Sequence, residues 1–385
     1  MREAIVIGGG VGGLAVATLL ARQGLAVELL EQHPEIAEVG AGLQISPNGL
    51  AVLRAMDLEK PLLAQGACRA KSVVLRDFQS GLDVARLPLD RMAASQRYYF
   101  VHRADLIAIL LASARAAGVA IELNARVSKV SEEGDAALTM VCGAQKTADV
   151  IVAADGLHSI ARPVLNAADA PFFTGQVAWR AVVKNRVGHP EEAHVTMGPG
   201  RHLVSYPIRG GDFVNLVAVE ERDVWAAEGW QHPDDPAALR AAFASFQGVA
   251  AEMIKDVTDV SVWGLHRHPV ATRWTGQALA LLGDAAHPTL PFLAQGANMA
   301  LEDAWVLADV VQKEGVIGIK SYQLRREARV RRVIATANKN AWRYHLHPGM
   351  FRTFAHAGLR MASRFAPGRM IGAFDWLYGY DVTRA

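Results

Sequence analysis

The sequence is short of several things, and each shortage excludes a class of protein. Two cysteines, Cys68 and Cys142, among 385 residues are too few for a disulfide framework and lack metal-ligand spacing. Both read as small core residues, and no metal site is expected. The net charge is only +2 and no dense basic run occurs, so a nucleic-acid partner is not expected. No apolar run approaches the roughly 20 residues that span a bilayer, so no membrane partner is expected either. The arginines and aromatics of the tail, Arg364, Arg369, Phe374 and Trp376, fit a C-terminal helix docked on its own domain better than a membrane-surface segment. The apolar strand Ala4 to Ile7 begins almost at Met1 with no signal-peptide pattern before it, which leads to the expectation of a cytoplasmic protein. Internal repeats, low-complexity tracts and evident linkers are also missing.

What is present is the composition of a globular protein, 51% apolar and 20% charged. At roughly 150 residues per domain, this length implies two or three domains. Residues 3–31 read as strand, glycine turn, helix, strand. In the segment from Arg103 to Gly118, the spacing of Leu106, Ile107, Leu110 and Leu111 predicts a helix with one buried face. A strand at 120–123 and a hairpin over 137–155 follow, the latter ending in Val150–Ala154 ahead of Asp155-Gly156. From about Val177 to Leu265 the texture changes to strands, with Leu203–Ile208 and Phe213–Val219 flanking Gly210-Gly211 as a hairpin. A buried strand at 278–282 leads into Gly283-Asp284, and long helices follow from 295 to 313 and from 321 to about 344. The nucleotide-binding domain is therefore expected to be discontinuous, with 1–72, 99–175 and 273–345 as its parts. Substrate-domain strands are expected at 73–98, the main substrate domain at 176–272 and a helical segment at 346–385.

Gly8-Gly9-Gly10-Val11-Gly12-Gly13 contains Gly-x-Gly-x-x-Gly directly between a strand and a helix. Gly8 makes the tight turn, Gly10 lets the backbone approach a pyrophosphate, and Gly13 permits close helix–strand packing. The helix N-terminus supplies free N–H groups for the phosphates. Glu31 stands at the end of the next strand, where an acid can accept hydrogen bonds from ribose hydroxyls. This loop alone does not separate NAD from FAD.

Two later segments bear on that choice. Asp155-Gly156, within Ala153 to Arg162, resembles the DG motif of flavoprotein hydroxylases, and Gly283-Asp284-Ala285-Ala286-His287-Pro288 resembles their GD motif. Val101 to Leu106 is similar to the segment whose arginine, here Arg103, contacts the cofactor. Together, over nearly the whole chain, these resemble the class A flavin monooxygenases of the p-hydroxybenzoate hydroxylase superfamily. Val177 to Ala181, His202 to Pro207 and Trp376 to Asp381 are most similar to its 6-hydroxynicotinate 3-monooxygenase, 3-hydroxybenzoate 6-hydroxylase and salicylate hydroxylase branch. The resemblance implies an α/β fold: a Rossmann-like FAD-binding domain with an inserted antiparallel-sheet substrate domain and C-terminal helices. It implies FAD as cofactor, with NADH or NADPH as a transient co-substrate, since no second glycine-rich nucleotide motif is present.

By the same resemblance, Asp284 binds the ribityl chain and Pro288 belongs to the cofactor site. Gly40-Ala41-Gly42 with Gln44 lies beside the flavin. Gly296, Ala297 and Asn298 open a helix whose first N–H groups face negative charge on the reduced ring. Equivalents of His202 and Tyr206 face the substrate in several relatives, and positions four apart on a strand share one face. A histidine is suited to take the proton of a ring hydroxyl near neutral pH, which enriches the ring for attack on a flavin C4a-hydroperoxide. His202 is thus the expected base and Tyr206 the residue that orients the substrate.

After the GD motif stands Thr289-Leu290-Pro291-Phe292, where some relatives carry glutamine or histidine, so an apolar wall is expected there. Arg180 and Arg201 are candidate partners for a substrate carboxylate, but arginine is ordinarily a surface residue and both are expected there. The implied reaction is hydroxylation of a small phenolic or hydroxylated N-heteroaromatic acid with O2. A flavin dehydrogenase or epoxidase on a non-aromatic substrate is the alternative, a flavin-binding redox sensor is a more remote one, and a homodimer is expected by analogy.

Overall fold

Glu3–Ile7 is the middle strand of a five-stranded sheet that runs Leu279–Leu281, Val150–Ala153, Glu3–Ile7, Ala26–Leu30, Ala120–Glu122. In this computed structural model, which describes residues 2–36, 42–133, 136–167, 170–223 and 232–384, all four pairings of that sheet are parallel. Ile5 sits between Ile151 and Glu28. Strands covered on both faces read as continuous apolar runs, and Val150 to Ala153 is wholly buried. The helix Val11–Arg22 packs against both Arg103–Ala116 and Gly296–Glu314.

An antiparallel three-stranded unit, Val127–Glu133, Ala136–Val141 and Ala144–Ala148, adjoins this sheet. Its last turn corrects one expectation: Cys68 is buried, but Cys142 is exposed. Cys142 and Gly143 both adopt positive φ, 47° and 85°, so they form the tip of a tight hairpin and cannot contribute to a core.

The second large sheet has eight strands in the order His232–Asp234, Val260–Arg267, Phe172–Lys184, Phe213–Glu221, Arg201–Ile208, Glu192–Gly198, Ser72–Asp77, Asp83–Pro88. Every pairing is antiparallel except the one between Ser72–Asp77 and Glu192–Gly198. The chain therefore enters this sheet twice, first at 72–88 and again from 172.

Alternation assigns its two faces. Val177, Trp179, Ala181 and Val183 join Leu203, Leu216 and Ala218 against Leu239 and Ile254 of two short helices and Phe243 just past the end of the first. The intervening residues Arg180, His202, Val204, Tyr206, Val217 and Val219 face an interior cavity instead. A third antiparallel group, Gly42–Ile45, Tyr99–His102 and Cys68–Arg69, lies near the junction of the two units.

The C-terminal segment docks on its own chain. Arg329 holds the carbonyls of Trp376 and Leu377 at 2.9 and 3.0 Å, and Phe374 and Trp376 pack against the main core. The Met350–Phe365 helix docks differently, through polar contacts. Arg352 pairs with Asp77, and Ser363 Oγ accepts from Arg86 N of the edge strand at 2.9 Å. Its other side leaves Met350, Phe351, Phe354, Met361 and Phe365 exposed. Among the described residues no helix is long and apolar enough to cross a membrane.

Candidate active site

A cavity of about 680 Å³ lies between the inner face of the eight-stranded sheet and the carboxyl ends of the parallel strands. Gly10, Ala154 and Leu282 line it, each just beyond the end of a parallel strand, which is where ligands bind in open α/β sheets.

The glycine turn is built by steric necessity. Gly8 has φ +102°, and a Cβ there would meet Ala154 O at 2.5 Å; one on Gly13 would meet Gly8 O at 2.0 Å. Neither residue lines the cavity; they fold the loop so that Gly10, with no atom near its Cβ position, presents bare backbone to it. The helix beginning at Val11 has no side-chain cap, leaving its first N–H groups for an anion. Glu31 is turned toward the loop rather than the cavity. Its Oε2 accepts from Gly9 N at 2.7 Å, and Oε1 accepts from His33 N at 3.0 Å. It thus holds the glycine turn, and a carboxylate with two oxygens retains further acceptor capacity.

Asp155 is also inside the turn it names. Its Oδ2 accepts from Ile160 N at 3.0 Å, its Oδ1 is buried without a hydrogen bond, and burial raises its pKa. Gly156, at φ +78°, lines the cavity in its place.

Asp284, Arg103 and Arg180 all line the cavity. Burial raises the Asp284 pKa, against the opposing pull of His287 and Arg103. Burial, reinforced by the neighbouring Arg180 cation and opposed by Asp284, brings Arg103 down to about 10. Arg180 corrects the surface assignment made from sequence. Its guanidinium lies 4.3 Å over the Trp263 ring, its Nε is buried without a hydrogen bond, and burial lowers its pKa. The alternation that sends Trp179 into the helix-covered core turns Arg180 inward. Arg201 is half-buried and lies away from the cavity, paired with Glu220 at 3.3 Å and set over the Phe243 ring.

The Gly296–Glu314 helix points its N-terminus at the same space, and Gly296 and Ala297 line it. The Asn298 side chain is committed elsewhere. Its Oδ1 accepts from Ser46 N at 3.0 Å and its Nδ2 donates to Gln44 O at 2.9 Å. Gln44 lines the cavity, with Oε1 accepting from Tyr98 Oη at 2.7 Å. Pro288 is buried behind the wall, whereas Thr289, Leu290, Pro291 and Phe292 form it. Gly40 and Ala41 fall outside the described residues.

Sequence reasoning missed the buried ionic network beneath this helix. His287 Nε2 lies 2.6 Å from Asp303 Oδ2. Arg326 reaches Asp303 at 2.7 Å and Glu302 at 2.5 Å, while Arg329 and Asn48 reach Glu302 at 2.8 and 2.6 Å. The network joins the GD segment to three helices, Pro47–Ala55, Gly296–Glu314 and Lys320–Tyr344. Its only sequence signal is an acid on an apolar helical face, since Asp303 shares spacing with Met299, Val306 and Val310.

His202, Val204 and Tyr206 project into the cavity from one strand face. Tyr206 stacks on Phe100 with ring centroids 5.0 Å apart, and burial raises its pKa. His202 is 1% exposed, 5.4 Å from the Phe292 ring, and burial holds its pKa well below the ordinary histidine value. Its Nδ1 is 2.7 Å from His345 Nε2, and His345 Nδ1 is 2.6 Å from Glu221 Oε1. Neither partner was singled out from sequence; His345 is 143 residues away from His202.

These features fit FAD. Bare loop backbone and a free helix end suit a pyrophosphate, and the Asp284 carboxylate in the cavity wall suits the hydroxyls of a ribityl chain. A family profile described as FAD binding domain matches residues 1–337. The chain is 36% identical to 3-amino-4-hydroxybenzoate 2-monooxygenase of Streptomyces cremeus, covering 97% of this chain and 94% of that one. It is 32% identical to 6-hydroxynicotinate 3-monooxygenase of Bordetella bronchiseptica, covering 98% and 94%. In fold it resembles a salicylate hydroxylase substrate complex, with TM-score 0.82 and 22% identity over 100% of this chain and 96% of that one. The chain belongs to the FAD-binding family of flavoprotein aromatic hydroxylases, and it is an FAD-dependent aromatic monooxygenase.

Proposed function

We propose that the substrate is a small aromatic acid that already carries a ring hydroxyl, of hydroxybenzoate or hydroxynicotinate type, and that His202 deprotonates that hydroxyl. The observation that carries this reading is the placement of His202 and Arg180 on one face of the eight-stranded sheet, on strands separated only by Phe213–Glu221, both lining one cavity. The two groups answer to the two polar features of such an acid: a proton to remove and a carboxylate to neutralise. The named substrates of the two relatives above each combine a ring hydroxyl with a carboxylate.

Bound FAD, reduced by NADH or NADPH, supplies the activation of O2 from which one oxygen atom enters the ring. The chain's own part is positional. Backbone N–H groups after Gly10 hold the pyrophosphate, with Gly8, Gly13, Glu31 and Asp155 shaping the turns. Asp284 accepts from the ribityl hydroxyls, and Arg103 lies close by. The N–H groups of Gly296, Ala297 and Asn298 stabilise negative charge on the ring edge. Tyr206 and the wall of Leu290 and Phe292 orient the substrate and exclude water.

The test is a panel of hydroxybenzoates, aminohydroxybenzoates and hydroxynicotinates, scored for stimulated NAD(P)H oxidation with products identified by mass. A member of the panel that gains one oxygen supports the reading. Oxidation stimulated only by non-aromatic compounds, with a dehydrogenated or epoxidised product, rejects it in favour of the alternative.

A further inference from the structure

We propose that His345 and Glu221 form a proton path that connects His202, inside the cavity, to solvent. The inference rests on the assignment of His202 as the base and adds what happens to the proton afterwards.

A base enclosed by protein has a difficulty that an exposed one lacks. His202 is surrounded by the rings of Phe292, Tyr344 and His345, with centroids at 5.4, 5.3 and 4.9 Å. An imidazolium formed there would be a buried cation with no acid against it, which the low polarity of the site opposes. The hydrogen-bond chain removes that difficulty by never leaving the charge in place.

Glu221 fixes the direction of the chain. Its carboxylate, on a side chain 49% exposed to solvent, accepts from His345 Nδ1–H at 2.6 Å. That leaves His345 Nε2 as an acceptor, so His202 Nδ1–H donates to it at 2.7 Å. His202 Nε2 is then the one unprotonated ring nitrogen not spent on protein. A carboxylate that orients an imidazole in this way is the arrangement of a catalytic triad; here a second imidazole extends it from the surface to the interior.

The transfer balances bond by bond. The substrate O–H breaks as His202 Nε2–H forms. His202 Nδ1–H breaks as His345 Nε2–H forms, and His345 Nδ1–H breaks as Glu221 Oε1–H forms. Glu221 then loses the proton to water. Both imidazoles end in the opposite neutral tautomer, and the reverse passage resets them. No oxidant or further reactant is needed.

The surrounding charges favour neutral imidazoles. Burial lowers the pKa of both histidines, with Glu221 pulling His345 partly back. The other charged groups acting on His345 are Arg201, which pairs with Glu220, and His347, just beyond the Lys320–Tyr344 helix. Arg201 and His347 both oppose a charge on His345. The path thus passes protons without storing one.

Glu221→Gln is the sharpest test, because an amide oxygen can still accept from His345 Nδ1–H but cannot take up the proton. The side chain is half exposed, so folding and FAD content should be unchanged. Substrate ionisation on binding is followed by stopped-flow absorbance across pH, in wild type, Glu221→Gln, His345→Phe and His202→Ala. The expected result for Glu221→Gln and His345→Phe is an ionisation rate lower by roughly 10- to 100-fold with substrate affinity retained, less than the loss on removing the base itself. Added imidazole should restore part of the rate in His345→Phe. If His202→Ala abolishes ionisation while both other variants keep the wild-type rate and pH profile, the path is wrong and the base stands. If His202→Ala itself ionises substrate normally, the base assignment fails and the path with it.

Discussion

Arg180 places its guanidinium 4.3 Å above the ring of Trp263, on the neighbouring strand of the eight-stranded sheet. The stack fixes a buried cation in the wall of the cavity. Cation–π contact offsets only part of the cost of removing a guanidinium from water, about 2 kcal/mol when desolvated. The remainder calls for an anion. Arg180→Met is therefore expected to raise KM for a carboxylated substrate by roughly 10- to 100-fold, as expected for losing about 1.5–3 kcal/mol of charged hydrogen bonding. The corresponding phenol without its carboxylate should show little difference between the two enzymes. Equal KM changes for acid and phenol would remove Arg180 from this role.

The Asp303–Arg326 contact at 2.7 Å belongs to a network in which both side chains are fully buried. Removing one partner leaves a buried charge uncompensated, at a cost of about 3–5 kcal/mol. Arg326→Met should accordingly lower Tm by several degrees and weaken FAD retention, because the same network anchors His287 and the GD segment. Asp303→Asn should do less harm, since it keeps the shape and part of the hydrogen bonding. Thermal melts of the holoenzyme decide this; unchanged Tm in Arg326→Met would mean the network contributes nothing.

Stability should decline as pH falls below 6.5. His189, His194, His202, His345 and His356 all have pKa values below the ordinary 6.5, chiefly through burial, with His194 at about 4. Above 6.5 these groups are neutral in both folded and unfolded chains and exert no effect. Below it the unfolded chain takes up protons that the folded one refuses, so stability falls until the folded values are passed, by up to about 1.4 kcal/mol per pH unit for each group. Glu192, Glu302 and Asp303, whose pKa values are lowered in the fold, add to the loss at more acid pH. Asp155 and Asp284, which are raised, act in the opposite direction and offset part of it. Melting temperatures from pH 8 to 4 should show a plateau and then a fall; a flat profile between 6.5 and 4.5 contradicts the histidine assignment.

Gly13→Ala is expected to yield protein without FAD and with a lower Tm. The added methyl would stand 2.0 Å from Gly8 O, and neither the strand end nor the helix start can yield without moving the pyrophosphate loop. Flavin absorbance after purification reads this directly, and full FAD content would contradict it.

Much of this site was legible because short motifs encode backbone shape. Gly8 and Gly13 announce a turn that only glycine can make, with Gly10 leaving bare backbone between them, and the apolar strands that end at Gly8, Asp155 and Gly283 place all three turns on one edge of a parallel sheet. His202 and Tyr206 could be paired from period-two spacing. What spacing could not give was the partner across the fold. Arg180 reads as surface until the sheet face it occupies is known, and the contacts of Glu31 with Gly9 N and His33 N in its own turn cannot be read from spacing. His345 and Glu221 come together with His202 only when the long C-terminal helix ends against the sheet. Cys142 was misread for a local reason: the turn that exposes it depends on Gly143, the next residue.

The central claim is that this chain inserts one atom of O2 into a ring-hydroxylated aromatic acid whose hydroxyl is deprotonated by His202. The most direct measurement is turnover under 18O2 with the best substrate of the hydroxybenzoate and hydroxynicotinate panel, in wild type and His202→Ala, with product mass and NAD(P)H consumption recorded together. The account predicts one 18O atom per product and close coupling in wild type. In the variant it predicts hydroxylation lower by roughly 10²–10⁴-fold, with FAD still bound. Product without 18O, or hydroxylation by His202→Ala at the wild-type rate, would contradict it.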